Sequence, residues 1–290
     1  MFKNIARATI LFIVIFTFNL AVYGQKVSEP TDTPAEWSKP YQPFRIVGNV
    51  YYVGTYDLAC YLITTPKGNI LINTRLASSE KLIKANIETL GFKFSDTKIL
   101  LTTQAHYDHM GAMATIKKAT GAKMMANKED AQVMKDGGSS DYALGGKESS
   151  YAPVIADRLL ADRDQISLGN TTITMLNHPG HTKGSSSFLF DVRDGKKTYK
   201  VLIANMPTIV TSEKFSNVTA YPTIAKDYAY TISEMKKITF DIWLSSHASQ
   251  FKLHAKRQLN APYNPSVFID KKGYEQSLKE LESEYLKKIK

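Results

Sequence analysis

The spacing of apolar residues changes several times along the chain, and each change marks an element. Phe44 to Thr55, Ala59 to Thr64 and Asn69 to Asn73 are dense in Val, Ile, Tyr and Leu and are broken by Tyr56-Asp57 and Pro66-Lys67-Gly68. That pattern predicts a meander of three strands. Leu82, Ile83, Ile87 and Leu90 then recur at helical spacing, with Ser79 as the expected cap and Gly91 as the stop. From Lys98 onward the order becomes βα: a strand over Lys98 to Thr103, a helix over Met110 to Ala119, a strand over Lys123 to Ala126 and a helix over Glu129 to Lys135. The stretch from Gly137 to Gly146 holds four glycines and reads as a long loop at the rim of a site.

The second half repeats this order. Thr171 to Leu176 predicts a strand, and Phe188 to Val192 and Thr198 to Ala204 predict a hairpin across Arg193-Asp194-Gly195-Lys196. Helices are expected over Ala225 to Lys237 and Tyr274 to Ile289, with a strand at Phe240 to Leu244 between them. In the last helix Tyr274, Leu278, Leu281 and Tyr285 form the core-facing stripe. Two halves of strands then βα units, with helices for both outer faces, give an α/β chain folded as a four-layer αβ/βα sandwich.

Before this domain, expected over residues 44–290, two segments stand apart. Lys3 and Arg7 precede the apolar run Ala8 to Phe18, and small residues follow at Ala21 and Gly24. This predicts a signal peptide over residues 1–24, a periplasmic or secreted product and no stable membrane anchor after cleavage. Residues 25–43 carry four prolines and predict an extended N-terminal arm.

With 43% hydrophobic and 22% charged residues, the 290-residue chain can bury a substantial core, which excludes intrinsic disorder. Its formal charge of +10 comes from scattered lysines, so a solvated basic surface is expected rather than nucleic acid binding. No oligomerisation seam stands out, and a monomer is the default. The single cysteine, Cys60, excludes an internal disulfide and a cysteine-rich zinc cluster. Any metal site must therefore use His and carboxylates.

All six histidines lie between positions 106 and 254. His106 and His109, His181, and His247 follow three different predicted strands, so they converge at one sheet edge, and Asp108 adds an oxygen donor suited to a catalytic zinc site. The densest element is Gln104-Ala105-His106-Tyr107-Asp108-His109. His254 is expected to lie at the surface. Ser78-Ser79-Glu80-Lys81 satisfies S-x-x-K, but neither S-D-N nor K-T-G accompanies it, and a helix start explains it better. No G-x-S-x-G, Walker A loop or GxGxxG occurs.

Together with Val53-Gly54-Thr55-Tyr56-Asp57-Leu58, His178-Pro179-Gly180-His181-Thr182-Lys183-Gly184, Ile203-Ala204-Asn205-Met206-Pro207 and Ser246-His247-Ala248-Ser249-Gln250-Phe251, this motif resembles the metallo-β-lactamase superfamily. Within it the chain looks like the subclass B3 enzymes of GOB type, which carry glutamine for the first histidine of HxHxDH. The resemblance implies one metal site at Gln104, His106 and His181 and another at Asp108, His109 and His247, with Asp108 also orienting the nucleophile and His178 left to structural hydrogen bonds. It implies one or two zinc ions, the Asp108 site being the tighter because an amide oxygen binds zinc less strongly than imidazole. It further implies hydrolysis of the β-lactam ring of penicillins, cephalosporins and carbapenems. Hydrolysis of another ester, lactone or thioester on the same fold and a silent zinc-binding protein are the alternatives.

Lys183, Ser185 and Met206 are the substrate-side candidates, Met206 as a pocket wall. Arg75 stands where family members usually have glycine. A strand-end arginine is ordinarily exposed, so its side chain is expected in solvent; obstruction of the site or attraction of an anionic substrate are the other readings.

Overall fold

The computed structural model describes residues 26–290. The signal peptide expected over residues 1–24 lies outside the described residues. Twelve strands are described: β1 (Phe44–Val47), β2 (Val50–Tyr52), β3 (Tyr61–Thr65), β4 (Gly68–Ile72), β5 (Thr97–Leu101), β6 (Lys123–Asn127), β7 (Arg158–Leu160), β8 (Gln165–Leu168), β9 (Thr171–Asn177), β10 (Ser186–Asp194), β11 (Lys197–Ala204) and β12 (Ile242–Ser245). The first seven form one sheet in chain order. Its pairs are antiparallel up to β4 and parallel from β4 to β7. The other five form a second sheet in the order β12-β11-β10-β9-β8, antiparallel except for the parallel pair β11-β12.

The period of two along the strands sorts side chains between two cores. In β3, β4 and β5 the residues Leu62, Leu71 and Leu100 face outward. There they meet Ile83 and Ile87 of the helix Glu80–Thr89 and Met113 and Ile116 of the helix Met113–Thr120. The alternate residues Tyr61, Ile63, Ile70, Ile72, Ile99 and Leu101 join a core with Ile173, Met175, Phe188 and Phe190 of the second sheet. Strands buried on both faces read as unbroken apolar runs, which is why β4 and β5 carry no alternation. On the far side, Tyr228, Ile232 and Met235 of the helix Ile224–Met235 and Tyr274, Leu278 and Leu281 of the helix Lys271–Ile289 cover Trp243, whose ring lies 5.4 Å from that of Tyr274. This is the four-layer αβ/βα sandwich.

Several elements differ from expectation. The first predicted strand is a hairpin, β1 and β2, because Gly48 takes φ +51° and reverses the chain. The helix expected over Met110 to Ala119 is two pieces, Tyr107–Met110 and Met113–Thr120. The short strands β7 and β8 gave no signal: Arg158-Leu159-Leu160 is too brief to display a period. Ser79 stands at the helix start, but its side chain makes no capping hydrogen bond, since a 3₁₀ turn over Ala77–Ser79 already leads in. The arm contains a helical turn, Ala35–Ser38, and is tied down by a bridge from Val27 to Ser149 and one from Pro40 to Thr55.

Candidate metal centre

Both sheets deliver chain to one edge. The segments that follow β4, β5 and β6 of the first sheet and β9, β11 and β12 of the second meet there, and each carries a polar motif. Three carboxylates and an asparagine fix the geometry. Asn73, just beyond β4, accepts through Oδ1 from Thr103 N–H at 2.9 Å and from the Thr103 and Thr102 hydroxyls at 3.1 and 3.4 Å, shaping the turn before His106. Asp130 accepts from Ala105 N–H at 3.0 Å, Thr182 Oγ1 at 2.8 Å and Gly184 N–H at 2.7 Å. One buried carboxyl thus braces the loops that carry His106 and His181. Gly184 is required there, because a Cβ would lie 2.6 Å from the Asp130 side chain. Thr74 completes the frame by donating N–H and Oγ1 to the His109 carbonyl at 2.8 and 3.1 Å.

Asp108, His109 and His247 offer donor atoms that all lie within 4.8 Å of one another. Asp108 Oδ2 is 3.1 Å from His109 Nε2 and 3.2 Å from His247 Nε2. Behind them, Asp57 Oδ2 faces His247 Nδ1 at 3.0 Å, and its Oδ1 accepts from Ser249 N–H. Burial opposes charge on His247, but hydrogen bonds to Asp108 and Asp57 overcome it and raise its pKa to about 9. Against the same burial, His109 and His247 hold Asp108 well below the usual carboxylate range. His247 and Ser249 likewise bring Asp57 down to about 2.

The second group lies beside the first. His106 Nδ1 and His181 Nε2 are 3.1 Å apart. Two nitrogens on one tetrahedral zinc, each about 2.0–2.1 Å from it, stand at roughly this separation. The outer nitrogens are held as metal-ligating imidazoles require: His181 Nδ1 lies 2.6 Å from the Thr208 carbonyl, and His106 Nε2 lies 3.4 Å from Asp141 Oδ2. Burial pushes His181 down to about 3, so it is neutral and its lone pair is free at neutral pH. Gln104 is buried in the same turn. Asp141 comes from the glycine-rich loop, as does Tyr142, whose hydroxyl donates to the Gly180 carbonyl at 3.0 Å. The loop therefore does border the site.

The structure thus brings together His106, Asp108, His109, His181 and His247, and Gln104 is buried two residues before His106. Among the substrate-side candidates, Ser185 is fully buried and its Oγ accepts from Thr182 N–H at 2.9 Å. Lys183 is exposed and donates to the Ala220 carbonyl at 3.2 Å. Met206 lines a cavity of about 520 Å³ with Thr208, Ile209, Gln250 and Leu281. His178 pairs Nδ1 with Ser187 Oγ at 2.7 Å. His254 is not a free surface residue: it stacks on Tyr56, ring centres 3.7 Å apart, with Nε2 2.7 Å from the Tyr56 carbonyl.

Arg75 departs furthest from expectation. It is 1% exposed and adopts φ +64°, the left-handed region that favours glycine. At that φ its side chain is carried into the interior rather than out from the strand end. Sequence reading also missed Asp57, Asp130, Asp141 and Trp37, whose ring lies 5.5 Å from that of His247. Carboxylates standing alone in unrelated segments carry no spacing signal.

A fold of two sheets with paired His/Asp donors where their edges meet defines a class of metal-dependent hydrolases, and the chain belongs to it: the metallo-β-lactamase superfamily, whose family model matches residues 54–196. Its similarity to solved structures runs over nearly the whole chain. It is 64% identical to the class B3 di-zinc metallo-β-lactamase LRA-12 from an Alaskan soil metagenome, with TM-score 0.90 over 91% of this chain and 100% of that one. It is 58% identical to the metallo-β-lactamase GOB-18 from Elizabethkingia meningoseptica, with TM-score 0.90 over 91% of this chain and 98% of that one. A probable metallo-hydrolase of Burkholderia pseudomallei is 30% identical over 122 residues, 40% of this chain. The match spans about a third of that curated relative, 37% of its length.

Proposed function

We propose that this protein is a zinc-dependent β-lactamase of class B3, acting on penicillins, cephalosporins and carbapenems outside the cytoplasm. The observation that carries the reading is the convergence of Asp108, His109 and His247 within 4.8 Å. The donor set fits zinc on its own chemistry. His109 Nε2 and His247 Nε2 stand 3.1 and 3.2 Å from Asp108 Oδ2, and His106 Nδ1 stands 3.1 Å from His181 Nε2, two sets of inward-facing N and O donors of the kind zinc takes. Gln104, His106 and His181 would hold one ion, and Asp108, His109 and His247 the other.

When bound, zinc supplies Lewis acidity and a nucleophile at neutral pH. Around it the chain's own groups act. Asp108, ionised and buried, would help hold the metal, and its carboxylate would accept a hydrogen bond from the attacking water and aim it at the lactam carbonyl. Asp57 fixes the His247 ring, and the Thr208 carbonyl fixes that of His181. Water adds to the carbonyl carbon, the C–N bond breaks, and the nitrogen leaves with a proton derived from water. No serine is acylated. Met206 forms part of the wall beside the reaction, with Lys183 and Ser185 on the segment after His181.

Export is supported by the pattern of residues 1–24, and the substrate is a small molecule met by a monomer. Among the described residues no helix is long and apolar enough to cross a membrane. The test is hydrolysis of a penicillin, a cephalosporin and a carbapenem by the purified protein. Exhaustive chelation should abolish turnover and added zinc restore it, whereas serine-acylating inhibitors should leave it intact. Hydrolysis that survives proven zinc removal would overturn the reading.

A further inference from the structure

Three buried donors without acceptors lie in the turn that follows β4. Among the described residues, Asn73 Nδ2, Arg75 Nε and Arg75 Nη1 all lack a hydrogen-bond partner, and both residues are at most 1% exposed. The orientation of Asn73 is not in question. Its Oδ1 already accepts from Thr102 and Thr103, which forces Nδ2 the other way. Its carbonyl is engaged as well, accepting from Cys60 Sγ at 2.9 Å. A further occluded nitrogen, His109 Nδ1, lies on the segment that Thr74 ties to this turn.

Arg75 has no carboxylate within 4.0 Å among the described residues. The titratable groups that interact with it are the Cys60 thiol and the Tyr52 phenol. Both are kept protonated by burial, which pushes Cys60 up to about 12 and Tyr52 well above its usual value. Burial lowers Arg75 only to about 10, so the guanidinium remains charged at neutral pH. A buried cation left without a counter-charge is costly, and buried N–H groups are almost always satisfied. The corner offers donors and positive charge, while its neighbours are neutral. What complements it is a small particle that only accepts and carries negative charge.

We propose that the Asn73–Arg75 turn is an internal binding site for a small monovalent inorganic anion of the halide type, separate from the metal centre. The substrate carboxylate is excluded as occupant, because the side chain is closed off from the surface. The site is independent of the reading as a β-lactamase.

Bromide is the probe. Crystals of the zinc-loaded protein soaked in bromide should show an anomalous peak within hydrogen-bonding reach of the Arg75 guanidinium, resolved from any peak at the metals. In solution, Tm should rise by about 4 °C or more with bromide, measured against a bulky sulfonate at equal ionic strength. Arg75→Gly and Arg75→Met should lose both the peak and the halide-specific rise, and either variant suffices if the other fails to fold. Bromide found only at the metals, or the same halide response in parent and variants, would overturn the proposal and assign the corner to water.

Discussion

The two donor groups stand side by side at one sheet edge, yet only one of them contains a carboxylate among its own donors. Without metal, Asp108, His109 and His247 form an internal ion pair: the carboxylate is ionised, Asp57 backs the imidazole, and His247 carries a proton at neutral pH. Gln104, His106 and His181 include no carboxylate of their own: against burial Asp141 raises His106, while burial pushes His181 down to about 3 and leaves it neutral. A dication entering the first group displaces a proton but meets a full negative charge; entering the second, it displaces none from His181 and meets an amide. Coulomb attraction outweighs the proton cost, so the Asp108 group should fill first.

The largest effect comes from removing that charge. Asp108→Ala should lower kcat/KM by well over the ~10²-fold that marks the loss of an outer-sphere partner, with bound zinc falling in parallel by atomic absorption. Unchanged metal content would break the comparison. Asp57→Asn should weaken zinc at the same group by about 10–100-fold, read by chelator competition, while His106 and His181 keep their affinity. A loss shared equally by both groups would show that Asp57 merely supports the fold. Gln104→His should bring the two affinities together, and anomalous scattering at limiting zinc should then show both sites occupied where the parent fills one. The smallest effect contrasts His181 with its neighbour His178, also buried and pushed down to about 3. Unfolded histidine binds its proton near pH 6.5, so the unfolded chain takes up a proton first as pH falls. The stability contributed by neutral His178 is therefore present above about pH 6.5 and lost as pH falls toward 3. His178→Asn should flatten that part of the Tm–pH curve.

How much could be read beforehand depended on how locally each feature is encoded. The layers followed from β3, β4 and the long helices, where the period of the side chains is itself the instruction. The candidate donors stood out as dense motifs after strands. Arg75 was misread because exposure is a statistical habit of arginine, whereas here a left-handed φ directs the side chain inward. His254 was misread for a similar reason: its partner Tyr56 is remote in sequence, and nothing nearby announces it.

The sequence by itself determined the longer strands and helices and the four-layer plan, and it put forward the six candidate donors, because periodicity and short motifs act over a few residues. Only the tertiary structure decided which carboxylate backs which imidazole, that Asp130 locks two distant loops together, and that a guanidinium ends up sealed inside. Those outcomes depend on distances between segments as far apart as Asp57 and His247, which chain order does not specify and packing does.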